Sequence, residues 1–177
     1  DENSIIINCG VENGMELKLF NNVKEIYNID PGKDKYLDET VKYILKKTKT
    51  KNHFLDYALY TDEGIYTAEE QNIKHDIKTL KEIIIEHKIN KISLIKTDLE
   101  GAERYMVDDL VEICKKYKCQ LAISIYHSNH KRGQDEILYD LIDIPLRIIN
   151  KLHNKYNFYF NSYSYERWEG IIYCIPK

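Results

Sequence analysis

Short apolar runs alternate with stretches of helical spacing along most of this 177-residue chain. Apolar runs bounded by Gly, Pro, Asn or Asp predict buried strands, whereas apolar residues three and four positions apart predict helices. This order predicts a mostly parallel sheet covered by helices on both faces, with an antiparallel hairpin at one edge. The predicted strands are residues 4–8, 25–29, 53–59, 89–97, 121–125, 156–163 and 168–175, and the predicted helices are one after Gly14 and those at residues 36–47, 80–87, 101–117 and 137–152.

The pattern is less regular in two places. Residues 65–75 are polar and patternless, so we predict a surface excursion there. The last helix contains Pro145, which has no amide hydrogen, so we predict that this helix is broken or begins near Pro145.

The two closing strands are joined by a short connection and are predicted to pair as the hairpin. A separate small sheet for these two strands has no room in a chain of this length.

The segment 92–103 joins a predicted strand to a predicted helix. Its apolar run ends abruptly at two carboxylates, Asp98 and Glu100, and Gly101 then precedes the helical pattern. Ligands of open α/β sheets bind outside the carboxyl ends of the strands, so acids at this junction are well positioned for chemistry. Alternatively, Asp98 only caps the helix that follows, because Asp is a favoured N-cap residue. The segment alone supports both interpretations.

A turn with two glycines, Gly10 and Gly14, follows the first predicted strand. Glycines let the backbone approach a ligand closely, and the helix that follows presents free amides. Asp30 ends the second strand about 20 residues later, where a carboxylate can accept hydrogen bonds from both hydroxyls of a ribose. The alternatives are an ordinary strand-to-helix turn and an Asp30 that only makes a turn with Pro31 and Gly32.

Charge and cysteine content narrow the expected partners. The chain has 26 Lys and Arg against 29 Asp and Glu, a net charge of −3, so nucleic acid is not expected as its primary partner. The four cysteines match no zinc spacing and are predicted to be reduced, buried thiols of a cytoplasmic protein. No apolar run approaches the roughly 18 residues of a membrane span, so no membrane partner is expected.

We expect residues 1–177 to form a single domain, because this length suits one hydrophobic core. The first three residues are polar and run directly into the apolar triplet Ile5-Ile6-Ile7. This is an abrupt beginning for a domain. We therefore expect a piece of a longer polypeptide, or a protein that lacks an N-terminal extension or has been trimmed of one.

A set of segments spread along the chain forms a more specific combination: Cys9-Gly10-x-x-x-Gly14, Asp30-Pro31, residues 77–82, 94–103, 121–127 and 144–146, Tyr163-Ser164, Trp168-Glu169 and Tyr173. Over nearly the whole chain this combination resembles the FkbM family of S-adenosylmethionine-dependent methyltransferases. The resemblance implies a class I methyltransferase (Rossmann-like) sheet of seven strands, of which the last two form the antiparallel hairpin. It also implies transfer of a methyl group to a hydroxyl on a sugar or related small metabolite.

The resemblance implies a cofactor-binding role for residues at the ends of several strands. Gly10 and Gly14 would cradle the methionine part of S-adenosylmethionine, and Asp30 would hold its ribose. Tyr57 and Ala58 would lie near its adenine. The implied partners are therefore S-adenosylmethionine and a small-molecule acceptor that is carbohydrate-like.

The reacting end of the implied site contains Asp98, Glu100 and His127, and Asp98 would also contact the cofactor. A hydroxyl acceptor must lose its proton as the new bond forms, which calls for a base. A neutral histidine suits this task near pH 7. The two acids and the histidine could equally hold a divalent metal that acidifies the acceptor hydroxyl. The alternative for His127 is a histidine in the turn after a strand.

Three positions depart from the family pattern. The first strand of the family usually ends in an acid that meets the cofactor's ammonium group. Asn8 stands at this position and is expected to bind the cofactor through its carbonyl oxygen, although it carries no charge. Ser162 stands where a histidine is frequent, and Gly170 where a threonine is frequent. The alternative function is therefore a degenerate methyltransferase-fold domain that acts as a structural or partner-binding module. A nucleotide-binding oxidoreductase is disfavoured because Gly10-x-x-x-Gly14 is not G-x-G-x-x-G.

Overall fold

The computed structural model describes residues 1–11, 14–31, 39–61, 64–65, 76–99, 101–126, 134–162 and 169–177. The helices of these residues are α1 (Glu39–Lys47), α2 (Leu80–Glu86), α3 (Glu103–Tyr117) and α4 (Gln134–Leu152), with a 3-10 helix at Met15–Lys18. The strands are β1 (Ile5–Cys9), β2 (Glu25–Ile29), β3 (Lys51–Leu55), β4 (Tyr57–Thr61), β5 (Gly64–Ile65), β6 (Asp76–Lys78), β7 (Leu94–Thr97), β8 (Gln120–Ser124), β9 (Tyr156–Ser162) and β10 (Gly170–Pro176).

Seven of these strands form one mostly parallel sheet, in the order β3-β2-β1-β7-β8-β10-β9. β2 pairs in parallel with both β1 and β3. β10 runs antiparallel to both of its neighbours, β8 and β9. The predicted mostly parallel sheet with a closing antiparallel hairpin is therefore confirmed.

The chain divides into two compact units, Asp1–Leu94 and Ile95–Lys177. In the first unit, β1 is buried at every position and β2 at all but its first. Strands covered on both faces are apolar at successive positions, which explains the isoleucine run of β1. The core around them consists of Ile6, Leu17, Ile26, Val41 and Ile44.

Helix α2 begins at a capping box. The Thr79 hydroxyl accepts a hydrogen bond from the Glu82 amide (3.1 Å), and the Glu82 carboxylate accepts one from the Thr79 amide (2.8 Å). These bonds satisfy two of the amides that a helix leaves unpaired at its N-terminus. The hydrogen bonds from Thr79 also hold the pKa of Glu82 below its usual range. The predicted helix at residues 80–87 is confirmed.

The first unit also contains a small sheet with the order β5-β4-β6. The prediction of one strand at residues 53–59 was wrong, because Asp56 separates β3, in the large sheet, from β4, in the small one. β4 pairs in parallel with β6 and antiparallel with β5. Within the predicted surface excursion Ile65 belongs to β5, while residues 66–75 lie outside the described residues.

In the second unit, α4 continues through Pro145, so the predicted break near this residue was wrong. A proline inside a helix removes one hydrogen bond and costs about 3 kcal/mol. An apolar stripe of Ile144, Ile148 and Leu152, all buried, provides compensating burial. Arg147 adds a hydrogen bond to the carbonyl oxygen of Arg104 on α3 (2.8 Å), which fastens the helix after the proline.

All four cysteines are buried and free of disulfide bonds, as predicted. Three of them belong to a thiol cluster in the second unit, which we define as Cys114, Cys119, Cys174 and Tyr156. The Tyr156 hydroxyl lies within hydrogen-bonding distance of the carbonyl oxygens of Cys114 (2.8 Å) and Cys119 (3.1 Å). Among the described residues, no helix is both long enough and apolar enough to cross a membrane.

Candidate functional site

Both glycines of the turn after β1 have backbone conformations that favour glycine. Gly10 has a φ of 83° and Gly14 a φ of 69°. A Cβ atom at Gly14 would lie 2.8 Å from Cγ2 of Val41, so a side chain there would be crowded as well as strained. The Gly10 amide donates to the carbonyl oxygen of Ile29 (2.9 Å), which ties the turn to the end of β2.

Asp30 is buried directly after β2 and contacts the glycine turn. Its Oδ2 accepts a hydrogen bond from the Val11 amide (2.7 Å), and its own amide donates to the carbonyl oxygen of Leu55 (3.2 Å). The structure therefore brings Gly10 and Asp30 together at the carboxyl ends of β1 and β2. The alternative turn through Gly32 falls outside the described residues.

Asn8 is fully buried one residue before the end of β1. Its Nδ2 donates to Oδ1 of Asn28 (3.1 Å) and to Oε1 of Glu16 (3.3 Å). Its Oδ1 has no hydrogen-bond partner among the described residues. An unsatisfied buried acceptor costs about 1–3 kcal/mol, so this oxygen suits a ligand that brings a donor. The ammonium group of S-adenosylmethionine is such a donor, and the ribose hydroxyls suit the Asp30 carboxylate, so these residues fit the implied cofactor.

The hydrogen bonds of Asn8 belong to a row of amides that we call the asparagine chain: the buried Asn8 and Asn28 and the half-buried Asn52. Nδ2 of Asn28 donates to Oδ1 of Asn52 (3.2 Å), and Nδ2 of Asn52 donates to the carbonyl oxygen of Thr50 (3.0 Å). This chain was not predicted from the sequence. One signal was available, because Asn8 ends the predicted strand 4–8 and Asn28 is the last residue but one of the predicted strand 25–29. In the structure these two asparagines pair in register.

Tyr57 and Ala58 lie on β4 of the small sheet. Ala58 is fully buried. The Tyr57 hydroxyl accepts from Nζ of Lys78 (3.2 Å), and this ammonium group also lies 4.3 Å from the centre of the Tyr57 ring. Hydrogen bonds to Glu86 and Tyr57 raise the pKa of Lys78. Tyr57 is thus held in place, and its predicted contact with adenine stays a prediction.

Asp98 lies directly after β7 in the second unit. The Tyr126 hydroxyl donates to its Oδ1 (3.4 Å), and Nζ of Lys96 lies 3.8 Å from its Oδ2. The side chain is about one-third exposed, which leaves it accessible to solvent. The alternative role of Asp98, as the cap of α3, is tested by the hydrogen bonds at the N-terminus of that helix.

Asp98 is not the cap of α3. The N-cap position is Ala102, which provides no side-chain hydrogen bond. The buried carboxylate of Glu103 instead accepts hydrogen bonds from the amides of Gly101 (3.0 Å) and Leu99. The sequence analysis missed this role of Glu103, although an acid in the first helical turn after a glycine is a recognisable signal.

The predicted catalytic residues Glu100 and His127 lie outside the described residues, so their roles stay predictions. No group of three or more His, Cys, Asp or Glu within the described part of the chain could hold a metal ion. Thr97, the last residue of β7, is buried, and its hydroxyl has no partner among the described residues. This hydroxyl is a second polar atom suited to a ligand next to Asp98.

Ser162 and Gly170 pair with each other across the hairpin. A Cβ atom at Gly170 would lie 3.3 Å from Cγ1 of Ile125 and 3.4 Å from Cδ2 of Leu141. The first distance is shorter than most carbon contacts, and the second is at the lower limit of ordinary van der Waals contact. The glycine at position 170, where the family often has threonine, therefore has a packing reason in this protein.

Solved structures resemble this fold at low sequence identity. Methyltransferase FkbM from Methylobacillus flagellatus KT is 18% identical with a TM-score of 0.72, and the match covers 98% of this chain and 44% of that one. A Streptococcus mutans protein assigned as a methyltransferase, crystallised in complex with SAH, is 12% identical with a TM-score of 0.63, over 100% and 90% of the two chains. An rRNA methylase from Streptococcus thermophilus is 13% identical with a TM-score of 0.59, over 99% and 88%.

Together with the strand order, these likenesses confirm the predicted class I methyltransferase fold. No protein-family model matches the sequence, and a search of curated proteins finds no match either. The chain spans less than half the length of the FkbM methyltransferase that it matches. Because one neighbour is an rRNA methylase, the fold by itself does not support the expected absence of a nucleic-acid partner.

Proposed function

We propose that this protein transfers a methyl group from S-adenosylmethionine to a hydroxyl of a small, carbohydrate-like acceptor. The observation that carries the proposal is the arrangement at the ends of β1 and β2 within a methyltransferase fold. It combines the glycine turn, the buried Asp30 carboxylate and an Asn8 oxygen that has no partner among the described residues. The SAH bound to the Streptococcus mutans neighbour supports the choice of cofactor. The net charge of −3 favours a small acceptor over a phosphate backbone.

S-adenosylmethionine would supply an electrophilic methyl group on its sulfonium. Asp30 is proposed to accept from the ribose hydroxyls, because one of its oxygens is already fixed by the Val11 amide. Gly10 and Gly14 shape the turn against the methionine part. Tyr57 and Ala58 are proposed to lie near the adenine.

Asp98 is proposed to orient the acceptor hydroxyl, with Glu100 and His127 as the further candidates for the base. The structure supports Asp98 in this role because the N-cap position of α3 is Ala102, while Tyr126 and Lys96 contact the Asp98 carboxylate. Correct alignment of acceptor oxygen and methyl carbon alone can supply about 7–11 kcal/mol of the barrier. A divalent metal that acidifies the hydroxyl is the alternative to a protein base. A cytoplasmic location is part of the proposal.

Calorimetric titration of the full chain with S-adenosylmethionine, S-adenosylhomocysteine (SAH) and NAD tests the proposal. We expect the first two to bind and NAD not to bind. A protein that binds none of them would instead be the degenerate, partner-binding module. The neutral Asn8 and the departure at Gly170 motivate that alternative.

Substitution of Asp30 tests the same site directly. Asp30→Ala should weaken SAH binding by about a hundredfold, because two charge-assisted hydrogen bonds are lost. Asp76→Ala removes an exposed carboxylate from β6 and should leave binding unchanged. Asp98→Ala should lower methyl transfer to a panel of sugars more than it lowers SAH affinity. Equal SAH binding by the wild type and Asp30→Ala would refute the ribose assignment.

A further inference from the structure

We propose that Glu16 is a cofactor-binding residue whose carboxylate neutralises the ammonium group of S-adenosylmethionine. This inference rests on the proposed function. An ammonium group that leaves water to meet the buried Asn8 oxygen needs an anion nearby, because burying an unpaired charge is costly. Asn8 is neutral and cannot be that anion. Among the described residues, Glu16 is the acid whose contact with Asn8 the structure shows.

The geometry places the carboxylate next to the unpartnered oxygen. Oε1 of Glu16 lies 3.3 Å from Nδ2 of Asn8. Because the oxygen and nitrogen of an amide share one carbon, Oδ1 of Asn8 is adjacent to the atom that contacts Glu16. An ammonium group has three hydrogens and can donate to both side chains at once. Glu16 is half-buried in the first turn after Gly14, so it reaches both Asn8 and solvent.

The asparagine chain fixes which atom of Asn8 remains available. A backbone carbonyl only accepts hydrogen bonds, so the Thr50 carbonyl requires the Asn52 amide to present its nitrogen. Asn52 then presents its oxygen to Asn28, and Asn28 presents its oxygen to Asn8.

Asn8 must therefore direct its nitrogen towards Asn28. The Glu16 carboxylate, which also only accepts, imposes the same orientation. The atom left over is an oxygen, which is an acceptor for a cation. Asn28 and Asn52 are thus positioning residues that act through Asn8.

The predicted consequence is selectivity for a ligand with an amino group. Calorimetry should compare SAH with its deaminated analogue, in which hydrogen replaces the α-amino group. The wild type should prefer SAH by about tenfold to a hundredfold, the range expected for hydrogen bonds to a charged group. Glu16→Gln keeps the hydrogen bond to Asn8 and removes the charge. It should lower SAH affinity by about tenfold or more and leave the analogue within about twofold.

Glu2→Gln makes the same charge change at an exposed position and should alter neither affinity. Equal losses for both ligands in Glu16→Gln, or no loss for either, would overturn the role of Glu16 while the proposed function stands. A wild type that binds neither ligand would overturn the proposed function, and the inference with it. Thermal unfolding of each variant verifies that the half-buried substitution has left the fold intact.

Discussion

The asparagine chain of the first unit and the thiol cluster of the second both bury side chains that are not hydrocarbon. They differ in what remains after internal hydrogen bonds are made. In the asparagine chain each amide nitrogen donates to the next acceptor, yet the row ends at an Asn8 oxygen that has no partner among the described residues. The hydrogen bonds of the asparagine chain are therefore complete except at the Asn8 oxygen, the end that a ligand would reach.

In the thiol cluster, by contrast, the one side-chain oxygen, the Tyr156 hydroxyl, has hydrogen-bond partners. The Cys119 thiol lies 3.8 Å from the Cys114 sulfur, and Tyr156 bonds to their carbonyl oxygens. The hydrogen bond with Cys119 and, after it, burial raise the pKa of Cys114, and burial raises the pKa of Cys174 to about 12, so both thiols stay protonated near neutral pH. Inert thiols of this kind serve packing.

The two regions bury polar side chains for different reasons: the asparagine chain suits ligand binding, and the thiol cluster serves packing. A thiol is a weak donor and a weak acceptor, so leaving it in an apolar region costs little. An amide oxygen is a strong acceptor, so leaving it without a partner costs more. We expect such an oxygen to be kept in a protein where a ligand supplies the missing hydrogen bond. Substitutions in the two regions test this distinction through the free energy of unfolding.

Asn8→Asp should have the largest effect, a loss of about 3 kcal/mol near pH 7 without cofactor. The new carboxylate would face both Glu16 and the Asn28 oxygen, and flipping the amides would only move the conflict along the chain to the Thr50 carbonyl. Like charges raise the pKa of such a carboxyl, so its destabilising effect grows as pH rises and fades as pH falls towards 4.

Urea unfolding at about pH 5 and about pH 7.5 measures this loss. The double variant Asn8→Asp/Glu16→Gln is the control, because the glutamine amide that it introduces would donate to the new carboxylate and should recover much of the stability. A loss that is the same at both pH values would contradict the electrostatic explanation.

Asn28→Ala should have an intermediate effect, about 2 kcal/mol, because Asn28 is fully buried and two amides lose their partner. Asn52→Ala is the matched substitution at the half-buried end of the chain, where water can replace the missing group. It should cost less than about 1 kcal/mol. Equal losses of stability for the two variants would contradict the expectation that a missing partner costs more at the buried Asn28 than at the half-buried Asn52.

Sequence patterns predicted most of the large sheet because its strands are apolar where they are buried. β2 was predicted at its observed bounds, and the closing hairpin within two residues. The small sheet was missed because β5 and β6 are too short to show a period, and β4 continues the apolar run of β3 past Asp56. The break at Pro145 was predicted from local chemistry, whereas buried residues on both sides keep α4 continuous.

The candidate site was predictable where a single residue type carries the chemistry. Gly10, Gly14 and Asp30 were identified in this way, since their conformations and position follow from local sequence. Asn8 was predicted as a cofactor-binding acceptor, but its hydrogen bonds to Glu16 and Asn28 were not, because these partners are 8 and 20 residues away along the chain. Strand register brings Asn28 to Asn8, and the 3-10 helix after the glycine turn brings Glu16, so neither contact follows from the residues next to Asn8.

Cys174→Ala should have the smallest effect, about 1 kcal/mol near pH 8, because it removes one buried sulfur and no strong hydrogen bond. The folded pKa of about 12 exceeds the usual value of 9.0, so the contribution of this thiol is complete below about pH 9 and is lost as pH rises towards 12. Urea unfolding at about pH 8 and about pH 9.5 should therefore show wild type and variant converging. A difference that widens with pH would mean that Cys174 ionises easily in the folded state, and the thiol cluster would then have to be counted with the reactive sites.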